Sequence, residues 1–254
     1  MVTKLPVMGT QALDHTMLIR ESRRGRRYRG QTVDALREER RERLLQAALQ
    51  LFGTRGYGAT SIEALCSLAK VAPRHFYEHF HNREAILQAI YQRIAREGRQ
   101  VIQHTLSEPG DKRERIVAAV LAFAQYYTED PRRARIGSLE VVGVSPETEA
   151  LRRQTTHEYA TIIADHAIEL VTGATLDKRH YLLVGISLVG AINELVVEWL
   201  AGTLTMTADD VVSHITALFR LVMVGAEKLH AEGQLAQTSP VMVSSAPDRP
   251  DQTG

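Results

Sequence analysis

Cysteine is almost absent from this chain of 254 residues, because Cys66 is the only one. A single cysteine cannot form an intramolecular disulfide or supply paired thiolates to zinc, so we expect a cytoplasmic protein without a cofactor. An excess of one charge is also missing, since 31 Lys and Arg residues and 30 Asp and Glu residues leave a formal net charge of +1. Residues 1–20 lack the apolar stretch of a secretory signal, so no export is expected.

Strand-forming runs are missing as well. Glycine and proline fall between periodic stretches, and no Val- or Thr-rich segment alternates in polarity between two turns. The sequence therefore predicts an all-α fold of about nine helices, with an N-terminal three-helix head and a C-terminal helical bundle. The predicted units are a flexible basic arm at 1–36, the head at 37–98, a helical body at 99–235 and a disordered tail at 236–254.

One apolar run, Tyr181 to Gly202, is nearly long enough to cross a membrane. Asn193, Glu194 and Glu198 lie within it, and a charge at bilayer depth costs roughly 2.5–3.5 kcal/mol. We therefore expect a helix buried in a core or against a partner subunit, and no membrane contact.

The head begins with a predicted helix from about Arg37 to Gly56, whose apolar residues recur on one face. Thr60 and Glu63 have the spacing of a capping box, which predicts a short second helix to about Leu68. The remaining helix signals are a proline at the start of a third short helix, Pro73, and a cap for a long fourth helix, Asn82.

Two short helices joined by the turn Ala69 to Ala72 have the geometry of a helix-turn-helix, whose second helix enters the major groove of DNA. A small core is predicted from Ile62, Leu65, Val71, Phe76 and Phe80. The opposite face of the third helix then carries Ala72, Pro73, Arg74, His75, Tyr77 and Glu78. Arg74 is the side chain on this face that can bind a guanine edge through two hydrogen bonds.

The stretch QAALQLFGTRGYGATSIEALCSLAKVAPRHFYEHFHNREAIL, Gln46 to Leu87, resembles the TetR family of bacterial regulators. The resemblance implies a homodimer that binds double-stranded DNA at a palindromic operator, with Thr60, Tyr77 and Arg83 on phosphates and the start of the third helix over base edges. The full set of expected DNA contacts is Thr60, Ser61, Ala72, Pro73, Arg74, His75, Tyr77, His79 and Arg83.

Two departures from the family pattern affect the turn and the third helix. Lys70 replaces the usual glycine, which predicts a left-handed backbone at a non-glycine residue. Ala72-Pro73 replaces a polar pair, so Pro73 is expected to shape the site without hydrogen bonding to DNA. The arginines of Arg20 to Arg29 either enter a minor groove or form a solvated tail that adds only salt-sensitive affinity.

The body is expected to dimerise through the helices at about 177–201 and 208–230, as the resemblance implies. The middle helices of a typical member enclose a cavity for a small-molecule effector that releases the operator. Aromatic or polar residues on otherwise apolar helices suit such a cavity, although residues at this spacing also form ordinary cores. The candidates are Phe123, Tyr126, Tyr127, Tyr159, His166, Asn193 and Trp199.

Two other functions stay open at this point. A constitutive or activating DNA-binding regulator without an effector fits the same head. A metal sensor or metalloenzyme would use His75, His79 and His81, but no general base accompanies them as in H-E-x-x-H, and all three lie within the DNA-binding unit. The sequence favours a regulator that is not an enzyme, most simply a repressor.

Overall fold

The computed structural model describes residues 27–28, 31–170 and 178–232. Two short strands, β1 (Arg27–Tyr28) and β2 (Gln31–Thr32), pair antiparallel. Nine α-helices follow them along the chain within these ranges. The helices are α1 (Val33–Arg55), α2 (Ile62–Ala69), α3 (Pro73–Phe76), α4 (Arg83–Ser107), α5 (Lys112–Thr128), α6 (Pro131–Arg135), α7 (Pro146–Leu170), α8 (Lys178–Ala201) and α9 (Ala208–Ala231). The all-α class predicted from the sequence is confirmed.

The helix ends follow local sequence signals. The side chains of Asn82 and Asp111 accept hydrogen bonds from the first turns of α4 and α5, as N-cap residues do. Gly56 follows the last residue of α1 with a φ of +91°, a conformation that favours glycine. The prediction of a start near Arg37 was wrong, because α1 begins at Val33, where Asp34 in the first turn suits the helix dipole.

The flexible arm predicted at 1–36 differs from the structure at its C-terminal end. Residues 31–36 belong to β2 and α1. The rest of the arginine run, apart from Arg27 and Tyr28, and the tail at 236–254 lie outside the described residues. The division at residues 98 and 99 stays an interpretation, since α4 runs through that point from head to body.

The core of the head includes two residues that belong to the body. Ile136 and Val141 are completely buried in the cluster formed by α1 to α4. Ile136 is the first residue of a π-helical segment, Ile136–Glu140, and Val141 directly follows it. The head and the body therefore share one continuous core at this segment, which we call the π-turn.

In the body α7 packs along α8, and α5 packs against both α4 and α9. Gly185 allows the first of these contacts, because a Cβ at this position would lie 2.5 Å from the carbonyl oxygen of Ala160. This close approach occurs within the chain, between α8 and α7.

Among the described residues, one helix is long and apolar enough to cross a membrane by length and composition, and this helix is α8. Few of its residues are buried within the chain, namely Tyr181, Gly185, Leu188 and Val196. Much of its apolar surface is therefore available to a partner.

Candidate DNA-recognition surface and ligand cavity

The segment from α2 to α3 has the local geometry of a helix-turn-helix. Leu65, Val71, Phe76 and Phe80 are at most 6% exposed, and Ile62 packs against them, so the predicted small core is confirmed. At the start of α2 the Oγ of Ser61 accepts a hydrogen bond from the backbone N–H of Ala64. The capping residue is therefore Ser61. The sequence pattern had predicted Thr60, and that prediction was wrong.

The turn between the two helices contains the predicted left-handed residue. Lys70 has φ 54° and ψ 45°, and its N–H donates to the carbonyl of Ser67 at the end of α2. Among the described residues, Lys70 is the one non-glycine residue with a positive φ. An L side chain in this conformation costs roughly 1 kcal/mol, which the burial of Ala69 and Val71 on either side must offset.

We expect Lys70→Gly to raise the free energy of unfolding by about 0.5–1 kcal/mol, because glycine adopts this conformation without steric cost. Thermal unfolding of the purified variant measures this. The matched control is Ser67→Gly, at an exposed position inside α2, which is expected to lower stability by about 0.5–1 kcal/mol. Equal effects of the two substitutions would contradict the assigned strain at Lys70.

Helix α3 presents a solvent-exposed face that carries one cation and one large aromatic ring. Ala72, Pro73, Arg74 and Tyr77 are exposed, and Tyr77 keeps 59% of its surface accessible. Phe76 on the opposite face is fully buried, which fixes the rotation of the helix. An exposed aromatic beside an arginine at the start of a helix suits contact with phosphates and base edges.

His75 and Glu78 form a pair at the edge of this face. The Nδ1 of His75 lies 2.8 Å from the Oε1 of Glu78, and this hydrogen bond holds the pKa of the Glu78 carboxyl below its usual range. The Nε of Arg74 lies 3.3 Å from the other ring nitrogen of His75. A carboxylate so close to the surface favours contact with a base amino group over contact with a phosphate.

Two residues expected on phosphates have intramolecular partners. Thr60 is 1% exposed, and its hydroxyl donates to the carbonyl of Gly56 at 2.8 Å. Arg83 donates from Nη1 to the carbonyl of Thr60 at 2.9 Å and lies over the ring of Tyr57 at 4.3 Å. The side chain of Thr60 thus stabilises the loop before α2, and Arg83 fixes the same loop from the start of α4.

The remaining expected contacts, Ser61 and His79, differ in exposure. Ser61 is exposed while its hydroxyl caps α2. His79 is half-buried, and burial, followed by the positive charge of Arg37, lowers the pKa of its imidazole. Within the described ranges, no group of three or more His, Cys, Asp or Glu side chains is arranged to hold a metal ion.

The N-terminal part of α1 adds basic residues that the sequence argument did not assign. Arg37 donates from Nη2 to the carbonyl of Glu78 at 3.0 Å, just past α3. The guanidinium of Arg41 lies 5.8 Å from the centre of the Phe80 ring. Their spacing on the first helix signals only a solvated charged face, so only the packing of α1 on α3 brings them beside the recognition surface.

A cavity of about 290 Å³ lies within the body. Its walls come from α4, α5, the π-turn, α7, α8 and α9. Five of the seven candidate residues line it, namely Phe123, Tyr127, Tyr159, His166 and Asn193. This is the size and composition of a site for a small apolar molecule.

Polar groups cluster on part of the cavity wall. The hydroxyls of Tyr127 and Tyr159 lie 3.4 Å apart, and Tyr159 donates to the carbonyl of Ala95 at 2.9 Å. Burial raises the pKa of both phenols, so they stay neutral hydrogen-bonding groups. His166 donates from Nδ1 to the carbonyl of Ile162 at 2.8 Å, which leaves Nε2 as its acceptor when the ring is neutral.

The described part of the lining carries one charged side chain besides histidine. This side chain is Arg152. Its Nε lies 3.0 Å from a carboxylate oxygen of Glu149. The described lining contains no carboxylate. A cationic ligand would therefore find no counter-ion there, whereas a neutral or anionic one would meet no repulsion.

Two candidate residues do not line the cavity. The hydroxyl of Tyr126 donates to Glu97 at 2.8 Å, and Arg133 lies over its ring at 4.3 Å. Trp199 packs against the cluster that contains Val196 and Ile215. Both pack around the cavity, and their contact with a ligand stays a prediction.

Comparison with known proteins gives matches to the head and to the whole fold. Residues 44–90 match the sequence profile of the bacterial regulatory proteins of the tetR family. The chain is 32% identical over 100 residues to the HTH-type transcriptional activator FasR of Mycolicibacterium smegmatis, a match that covers 39% of this chain and 46% of FasR. The chain thus spans about half the length of that relative. It is also 38% identical over 50 residues to the HTH-type transcriptional regulator UidR of Escherichia coli, a match that covers 20% of this chain and 26% of UidR.

Solved structures resemble the chain over most of its length. A putative TetR-family regulator from Syntrophomonas wolfei has a TM-score of 0.64 at 20% identity, covering 74% of this chain and 96% of its own. FadR from Bacillus subtilis, solved with stearoyl-CoA, has a TM-score of 0.60 at 18% identity, covering 73% and 98%. Residues 44–90 thus resemble the bacterial regulatory proteins of the tetR family in sequence, and the chain shares the fold of these solved structures.

Proposed function

We propose that the protein is a sequence-specific regulator that binds duplex DNA as a homodimer through α3 and is released by a small molecule in the body cavity. The observation that carries the proposal is the exposed face of α3, with Arg74 and Tyr77 outward and Phe76 fully buried behind them. Arg74 would bind a guanine edge, and Tyr77 and Ser61 would contact phosphates. Pro73 fixes the first turn of the helix without a hydrogen bond to DNA.

A dimer follows from the size of the head and from the exposed surface of the last two helices. One helix-turn-helix covers half of a two-fold site, so a second head must be supplied about 34–36 Å away. On α8, Leu183 and Val184 are 36% and 43% exposed, and on α9, Leu221 and Val224 are 71% and 52% exposed. Apolar side chains this exposed on adjacent helices are typical of an interface between copies.

Leu221→Glu is expected to raise the dimer dissociation constant at least about tenfold, because it would bury an unpaired carboxylate between two copies. Sedimentation velocity across a concentration series measures this. Leu68→Glu is the control, since Leu68 is 49% exposed on α2 in the head and the dimer should be unchanged. A dimer that survives Leu221→Glu would place the interface elsewhere.

The cavity supports an effector that is mainly apolar and neutral or anionic. Its described lining lacks a carboxylate, and its polar groups are phenols, hydroxyls, the side chains of His166 and Asn193, and one paired arginine. FadR of Bacillus subtilis, which shares the fold, was solved with stearoyl-CoA. We therefore propose an acyl compound as the first effector class to test, with stearoyl-CoA as its probe.

A regulator that activates transcription is the second candidate, because FasR, the relative with 32% identity in the matched region, is an activator. In that case the same DNA contacts would operate, but an effector would not need to release the DNA. Whether effector binding weakens, strengthens or leaves unchanged the affinity for DNA separates the two.

The experiment is fluorescence-anisotropy binding of the full chain to duplexes from its own upstream region and to scrambled duplexes, across a salt series. We expect specific binding to exceed non-specific binding at least about a thousandfold and to saturate at an even number of chains per duplex. Stearoyl-CoA is then added to the complex, with free coenzyme A as the control. Release by stearoyl-CoA alone supports the effector-released repressor, whereas equal binding of specific and scrambled DNA contradicts the regulator itself.

A further inference from the structure

The π-turn lies between the ligand cavity and the head. Gly137 and Ser138 line the cavity, whereas Ile136 and Val141 are fully buried in the core of the head. A single turn thus contacts a prospective ligand on one side and α1 and α4 on the other. π-Helical turns are rare and occur mainly at functional positions, because they are less stable than the α-helical alternative.

The last residue of this turn is bonded to the loop that leads into the helix-turn-helix. Glu140 is 12% exposed in its side chain, and its Oε2 accepts a hydrogen bond of 2.6 Å from the backbone N–H of Tyr57. Its Oε1 accepts a hydrogen bond of 2.7 Å from the Nε of Arg135. The carboxylate therefore holds the start of the loop between α1 and α2 against the body.

The space beside this carboxylate is reserved by a glycine. A Cβ added at Gly56 would lie 3.1 Å from the Oε2 of Glu140, and Gly56 also has a positive φ of 91°. Four residues further on, Thr60 donates to the carbonyl of Gly56 and accepts at its own carbonyl from Arg83. A displacement of Tyr57 would therefore pass through short hydrogen bonds to the start of α2 and, with it, to α3.

We propose that Glu140 is a positioning residue that transmits occupancy of the cavity to the recognition helix through the π-turn. The proposal rests on the effector-released regulator proposed above. A π-turn contains one residue more than the corresponding α-turn, so its conversion to α-helix rotates the following residues by about 100°. That rotation removes Glu140 from the Tyr57 amide, and a ligand against Gly137 and Ser138 changes the balance between the two forms.

The test measures hydrogen exchange of the Tyr57 amide by NMR in the full chain with isotope-labelled tyrosine amides. Glu140→Ala should speed exchange at least about tenfold, because it removes the charged acceptor, and Glu140→Gln should restore most of the protection. Ser138→Leu adds bulk to the cavity at the π-turn and should speed exchange by a similar factor. Thr156→Leu places a leucine at the cavity from α7, where Thr156 also lines it, and should have less than about a threefold effect.

The decisive measurement is the hydrogen exchange of the Tyr57 amide in the double variant Glu140→Ala/Ser138→Leu. We expect its Tyr57 amide to exchange within about twofold of Glu140→Ala alone, since the path from the cavity is already broken. Additive effects, or equal effects of Ser138→Leu and Thr156→Leu, would overturn the proposal. Saturating 1-decanol added to the wild-type chain provides a second way of filling the cavity, and unchanged Tyr57 exchange both with it and in Ser138→Leu would also overturn it.

None of these measurements uses DNA, so they separate this inference from the proposed function. A chain that bound no operator but showed the non-additive exchange would contradict the regulator and support the coupling. A chain that was released from DNA by stearoyl-CoA with unchanged Tyr57 exchange would support the regulator and contradict the role of Glu140.

Discussion

Replacing Gly53 with alanine is expected to lower the free energy of unfolding by about 1–3 kcal/mol, despite the higher helix propensity of alanine. A Cβ at position 53 would lie 2.3 Å from the Cβ and 2.8 Å from the Cα of Arg132. Arg132 is in α6, so α1 and α6 would have to separate, and backbone atoms cannot yield as the end of a flexible side chain does. The shift would also disturb the hydrogen bond from Arg132 to Gln50.

Chemical denaturation of the purified variant measures this effect, and Gly58→Ala is the matched control. Gly58 is exposed, and a Cβ there would meet no atom within 4 Å. We expect the control to change stability by less than about 0.5 kcal/mol. If the two variants were equally stable, the close packing of α1 on α6 would not exist in solution.

Arg74→Ala is expected to weaken binding to the specific operator by about 1–3 kcal/mol, which is roughly five- to 150-fold, and to relax the base preference at one position of each half-site. The side chain is exposed, and its described bond is the 3.3 Å contact with His75. The free energy of unfolding should therefore stay within about 0.5 kcal/mol of the wild type.

The control for Arg74 is Arg153→Ala, which removes the same charge from an exposed position on α7 in the body. Anisotropy titrations with operator and scrambled duplexes, at two salt concentrations, compare the variants. Arg153→Ala should leave the ratio of specific to non-specific affinity unchanged. A similar loss of that ratio in both variants would show that Arg74 contributes only its charge.

Local signals in the sequence predicted much of the head correctly. Asn82 caps α4, Gly56 ends α1, and Lys70 adopts the left-handed conformation that replacement of a glycine implied. The choice between Thr60 and Ser61 as the cap of α2 failed, because either residue type can cap a helix. The packing of the loop, which buries Thr60, decides in favour of Ser61.

The cavity was only partly predictable because neighbouring positions on a helix differ by about 100° in direction. Tyr127 lines the cavity while Tyr126, one residue earlier, bonds to Glu97 on another side of α5. Composition marks both as aromatic residues on an apolar helix. The rotation of α5 depends on its packing against α4 and α9, which a single sequence does not specify.

The π-turn could not be predicted at all. Ile136 and Val141, five residues apart, are both buried in the core of the head, which an α-helix would not place on one side. The sequence offers only Gly137 as a weak interruption of helical propensity. The extra residue in this turn is imposed by tertiary packing between head and body, and the proposed coupling depends on it.

The central claim is that α3 reads a two-fold DNA sequence, and selection from a random pool of duplexes by the full chain tests it most directly. We predict enrichment of one palindromic sequence whose half-sites are centred one helical turn, about 10 base pairs, or a multiple of that apart, with the preference at one position lost in Arg74→Ala. Recovery of duplexes without any shared sequence, at a salt concentration where the chain still binds DNA, would contradict sequence-specific recognition by this helix.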